Sequence, residues 1–146
     1  SNTVKQNLST YLSEYRIIGD TVKIKDGFVV NIAVDFEIIV FPNFNNNEVL
    51  SRCIAEVQNY FAIDNWTFNQ PILLKELFIR LDKINGVQTV KDVYITNKTG
   101  VAQGYSEYAY DVEGATQNNV VYPSLDPCIF EVKYPDTDIR GRVLSL

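Results

Sequence analysis

The chain has 146 residues, 46% of them hydrophobic, a net charge of −5 and no histidine. That length fits one domain with a small appendage, and the apolar content is enough to bury a core, which excludes general disorder. There is no basic run of the kind a nucleic-acid binder needs, no apolar stretch approaching the roughly 20 residues of a membrane helix, and no imidazole for Ser-His-Asp or Cys-His catalysis. The sequence also contains no methionine. With its Ser1-Asn2 opening, which reads as a scar of tag cleavage, this gives the expectation that the chain is part of a larger one. Cys53 and Cys128 are far apart and match no zinc or redox spacing.

In chain order, Val4 to Arg16 is predicted helical, with Leu8, Tyr11, Leu12 and Tyr15 on one face. Gly19 and Asp20 end it. Val22 and Ile24 alternate with Lys23 and Lys25, the pattern of a short edge strand protected by lysine. Phe28 to Phe41 is the clearest strand. Val30, Ile32, Val34, Phe36, Ile38 and Val40 share one face, and Asn31, Ala33, Asp35 and Glu37 share the other. Such alternation implies one buried face and one at least partly wet.

Pro42 to Asn47 reads as a turn, with Asn46 or Asn47 capping the next helix and Glu48 suiting its dipole. Val49, Leu50, Cys53, Ile54, Val57, Tyr60 and Phe61 form that helix's apolar stripe. Trp66 and Phe68 alternate with Thr67 and Asn69 in a connector that allows a brief strand. Pro71 is expected in the first turn of a helix reaching about Ile84, with Leu73, Leu77, Leu81 and Ile84 inward. Asn85-Gly86 stops it. Val87 to Ile95 is a further strand, with a phase break at Asp92. Strand–helix–helix–strand gives an α+β, two-layer sandwich: a small mixed or antiparallel sheet with two or three helices on one face. After Asn97 the chain turns glycine- and tyrosine-rich. From Tyr122 onward, Pro123, Pro127 and Pro135 exclude helix, and Phe130, Val132 and Tyr134 alternate with Glu131 and Lys133. Residues 1–122 are therefore expected to form the α+β domain and 123–146 an extended C-terminal arm.

Chemistry has few candidates. Asp35 and Glu37 project from one strand face and could serve hydrolysis or hold a cation, but the pattern fits a solvated face and no further ligands accompany them. Asp136 and Asp138 with Arg140 and Arg142 read as a salt-bridging contact surface. Cys53, on an apolar helix stripe, reads as a small buried hydrophobe. Asn7, Asn65 and Asn97 head short glycosylation-type patterns that carry little weight. Nine tyrosines are many for this length, and Tyr and Arg favour interface centres.

The run Tyr122-Pro123-Ser124-Leu125-Asp126-Pro127-Cys128-Ile129-Phe130-Glu131-Val132-Lys133-Tyr134-Pro135, with Asp136-Thr137-Asp138-Ile139-Arg140-Gly141-Arg142-Val143 after it, resembles the end of the baseplate wedge subunit of T-even-like contractile-tail phages. Asn45-Asn46-Asn47-Glu48-Val49-Leu50, Asn69-Gln70-Pro71-Ile72 and Gly86-Val87-Gln88-Thr89-Val90 resemble the C-terminal module of the broader baseplate J-like family. Cys128 departs from the small polar residue expected there. The resemblance implies a structural, non-enzymatic component of the virion's tail baseplate, assembled in the host cytoplasm. It would pair with itself, as a homodimer within a ring, and with other wedge proteins. It implies no catalytic residue, metal, cofactor, nucleic acid or membrane. The interface is expected at Tyr105, Tyr108, Tyr110, Tyr122, Phe130, Val132, Tyr134, Ile139, Arg140 and Arg142, with the arm reaching a neighbour. Two other readings compete. One is a carbohydrate- or receptor-binding tail module that stacks sugars on Trp66 and the Tyr105–Tyr110 cluster. The other is an enzyme using Asp35 and Glu37, which needs a concave site over the strand's polar face.

Overall fold

The computed structural model describes residues 23, 24 and 27–145. The helix expected over Val4–Arg16 lies outside the described residues, as do Val22 and Lys25. Lys23–Ile24 forms a short strand, β1, antiparallel to the start of the long strand β2, Gly27–Val40.

After β2 the chain turns into helix α1, Asn46–Tyr60. Its cap is Asn45, not Asn46 or Asn47: its side-chain oxygen accepts from the Glu48 N–H at 3.1 Å. This satisfies one of the amides left open at a helix start. Val49, Cys53, Val57 and Tyr60 are the buried stripe of α1. The connector is a 3-10 turn at Ile63–Asn65 and loop, not a strand at Trp66. Pro71 does not open the next helix either. It precedes a two-residue strand β3, Ile72–Leu73, and helix α2 runs Leu74–Asp82. The chain is extended here because β3 pairs with a later strand, which overrides the helix-start preference of proline. The inward row of α2 is consequently Leu74, Leu77 and Leu81, while Leu73 is exposed.

Gly86, at φ 103°, ends this segment in a conformation closed to most side chains. A β-carbon there would also lie 2.6 Å from Val49 Cγ2. Strand β4, Val87–Asn97, then returns antiparallel to β2. The phase break at Asp92 is a bulge: Glu37 pairs with Asp92 and Ile38 with Val90, leaving Lys91 extra. Farther along, Thr116–Gln117 (β5) and Val120–Val121 (β6) form a hairpin that also holds β3. Its turn residues Asn118 and Asn119 have φ of 53° and 64°, the left-handed values a two-residue hairpin turn requires.

The C-terminal segment is extended, but it is no separate arm. Cys128–Glu131 (β7) runs parallel to the first part of β2, pairing Phe28 to Asn31 with Cys128 to Glu131. A single helical turn, α3 (Pro135–Asp138), follows. Ile139–Val143 (β8) then runs parallel to the second part of β2, across it from β4. The division at residue 123 therefore does not mark a structural boundary. The segment's apolar residues need cover, and β2 with the helices supplies it within the chain.

Among the described residues, β1, β2, β4, β7 and β8 make one mixed sheet. Helix α1 packs on β8 and helix α2 on β4, giving the α+β two-layer arrangement. The inner face of β2, Val30 to Val40, meets Val49, Cys53, Val57, Leu77 and Leu81 in one core. Gly141, paired with Phe36, sits on this inner face. A β-carbon on it would collide with the Phe36 ring and come within 2.6 Å of Leu50 Cδ1, so helix α1 can lie against β8 only because that position has no side chain.

Candidate functional site

The other face of the sheet divides into two halves. Over the first half, loop 98–111 covers it. Asn31, fully buried, donates from its amide to Glu131 at 2.8 Å and accepts from the Ser106 N–H at 2.6 Å. The Asn31 carbonyl accepts from the Lys98 N–H and from the Asn97 amide, both at 2.8 Å. The Tyr105 hydroxyl donates to the buried Asp138 at 2.6 Å. Burial first, and then this bond to a carboxylate, push the Tyr105 phenol up to about 12. These contacts lock a polar loop onto polar strand positions and give the buried Asn31, Glu131 and Asp138 side chains partners within the fold.

The second half is open to solvent. Here the strand order β4–β2–β8 lays out rows of facing residues: Tyr94, Asp35 and Arg140 in one, Asp92, Glu37 and Arg142 in the next. Asp35, Glu37, Tyr94, Arg140 and Arg142 line an open cleft of about 490 Å³. Glu37 and Arg142 are ion-paired. The Tyr94 hydroxyl donates to Asp92 at 3.0 Å, which together with desolvation raises its phenol above the ordinary range. Asp35 and Arg140 face each other in register yet form no ion pair. The Arg140 Nε donates instead to the Thr137 carbonyl at 3.0 Å. No group of three or more acidic, cysteine or histidine side chains that could hold a metal ion occurs among the described residues.

The residues expected at an interface are thus distributed between core and surface. Phe130, Val132 and Ile139 are core residues, and Tyr105 is buried under its own loop; none is free to meet a neighbour. Tyr108 is half-buried and stacks on Phe28 at 4.3 Å. Tyr110, also half-buried, tilts over Phe130 and donates to the Tyr122 carbonyl at 2.6 Å. Tyr122 and Tyr134 are exposed, the latter held edge-on against Tyr105. Only Arg140 and Arg142 reach the open face. Trp66, 2% exposed, is enclosed by Tyr60 and Phe61 and donates to the Tyr60 carbonyl at 2.9 Å, so it offers no ring for a sugar.

Tyr94 was not singled out from sequence. Its signal is its place with Asp92 and Thr96 on one strand face, alternating with the apolar Val93 and Ile95. The link between the Asp35/Glu37 pair and the Arg140/Arg142 pair needs the β2–β8 register, although both pairs show the same two-residue spacing.

Compared with protein-family models, curated proteins and solved structures, the chain gave no significant match. No helix of the described residues is long and apolar enough to cross a membrane.

Proposed function

We propose that this chain is a structural, non-enzymatic domain of a contractile-tail baseplate wedge subunit, whose work is to hold neighbouring baseplate proteins in place. The observation that carries the reading is the open half of the sheet, where Tyr94 and two arginines stand among carboxylates on three rigid strands. Tyr and Arg supply much of the binding energy at protein interfaces, and charges of both signs fix register and partner choice. Arg140 and Arg142 belong to the C-terminal run that resembles the wedge subunits. That run is therefore both the source of the resemblance and the builder of the face. The partners are further copies and other wedge proteins, and the site of action is the tail baseplate of the virion.

The test is to probe intact contractile-tail particles with an antibody raised against this chain. Labelling at the baseplate end of the tail is expected. Particles whose baseplates stay unlabelled, with label elsewhere or nowhere, would reject the assignment.

A further inference from the structure

We infer that the open sheet face binds a second copy of this chain about a two-fold axis running along the strands between β2 and β8. The inference rests on the docking role proposed above and names its surface and partner. The face is polar in a directional sense. Carboxylates occupy the β4 and β2 columns at Asp92, Asp35 and Glu37, and guanidinium groups occupy the β8 column at Arg140 and Arg142. Rotation about an axis along the strands lays the β2 column of one copy over the β8 column of the other, at the same level. Asp35 then meets Arg140 of the second copy, and Arg140 meets its Asp35, so one contact occurs twice, as a two-fold interface demands. The alternative axis, across the strands, would set arginine column on arginine column and repel.

Asp35 and the terminal guanidinium nitrogens of Arg140 are available for this, the Arg140 Nε being held by the Thr137 carbonyl. Both are exposed, and they sit side by side in register without pairing. Glu37 and Arg142, one step along, already neutralise each other and would complete a four-membered charge cluster in each half of the pair. The overlap is small. Five registered positions on each of two strands cover roughly 17 by 10 Å at ordinary strand spacing. That is well below the roughly 800 Å² per partner of a stable complex. The contact is therefore weak for two free chains, salt-sensitive, and effective when other contacts hold the copies near each other.

The experiment is sedimentation equilibrium of the whole chain, from dilute to the most concentrated soluble samples, at low and high salt. A monomer–dimer equilibrium that weakens with salt is expected. Asp35→Arg and Arg140→Asp should each sediment as monomers, since each places like charges across the axis. Mixed together they should associate one to one, because every cross-axis pair is then opposite in sign. Circular dichroism confirms that each variant is folded, and Asp35→Asn and Arg140→Gln serve if a reversal disturbs the fold. A wild-type chain that is monomeric throughout would overturn the inference. So would single variants that dimerise as wild type does, or a mixture that fails to associate. Tail labelling does not depend on self-association, so this inference and the baseplate assignment can fail separately.

Discussion

Asn31 and Glu131 are register partners on parallel strands, and their side chains are joined by a buried 2.8 Å hydrogen bond. The same asparagine also accepts from Ser106, so one side chain ties together β2, β7 and the covering loop. Asn31→Ala would leave the Ser106 amide without its acceptor in a buried place. A loss of about 1–3 kcal/mol in urea unfolding is expected. Unchanged stability would mean that water enters and replaces the bond.

Phe36 and Gly141 define a second test, in the packing of helix α1 on β8. Phe36→Ala removes a fully buried ring and should cost about 3–5 kcal/mol. Gly141→Ala should also destabilise, because its β-carbon meets Phe36 and Leu50. Reducing Phe36 to leucine beside Gly141→Ala should recover part of the loss. Denaturant melts of the three variants give the comparison.

Truncation after residue 122 should abolish cooperative unfolding rather than leave a folded domain. It removes Ile129, Phe130, Val132 and Ile139 from the core. Losses of about 2–5 kcal/mol for each large apolar side chain, taken over these four, are together as large as a typical total stability of about 5–15 kcal/mol. Circular dichroism melts of the shortened chain would show the absence of a transition. A sharp one would show that β2, β4 and the two helices suffice.

Alkaline titration should single out Tyr105. Its phenol ionises near 12 in the folded chain, against about 10 when unfolded. The folded state therefore holds its proton more tightly. The stabilisation is fully present below pH 10 and is lost as the pH rises through about 12. Ultraviolet titration should show Tyr105 ionising as the latest step among the described tyrosines, with Tyr60, Tyr94 and Tyr110 also raised above the ordinary range. Tyr105→Phe should remove that late step and lessen the fall in stability over this window.

Both thiols should be silent in the folded chain. Burial pushes Cys53 up to about 11 and also raises Cys128, and both are enclosed in the core. A thiol reagent at mildly alkaline pH should label neither until denaturant is added. Rapid labelling of Cys128 would show that its loop opens.

The sequence displayed β2, the stripe of α1 and the stop at Gly86 because each rests on local periodicity or a local conformational need. What it hid depends on pairing. Phe130, Val132 and Tyr134 alternate with Glu131 and Lys133 in the sequence, yet Glu131 is buried with the rest of β7, because Asn31 stands beside it. Pro71 resembled a helix start because β6, which holds Ile72 and Leu73 extended, lies far along the chain. The cationic half of the open sheet face is visible in the sequence as residues and invisible as a place. Only parallel pairing with β2 brings Arg140 and Arg142 beside Asp35 and Glu37.

The pairing of β2 with β7 joins residues 100 positions apart, as in Asn31 and Glu131. During synthesis β2 emerges long before the strands that complete its sheet. For that interval an apolar strand waits with an unfilled edge, open to pairing with another nascent chain. Contacts this distant in sequence also close slowly. Yield in a cell should thus respond to translation speed and chaperone supply more than the modest size of the domain would indicate.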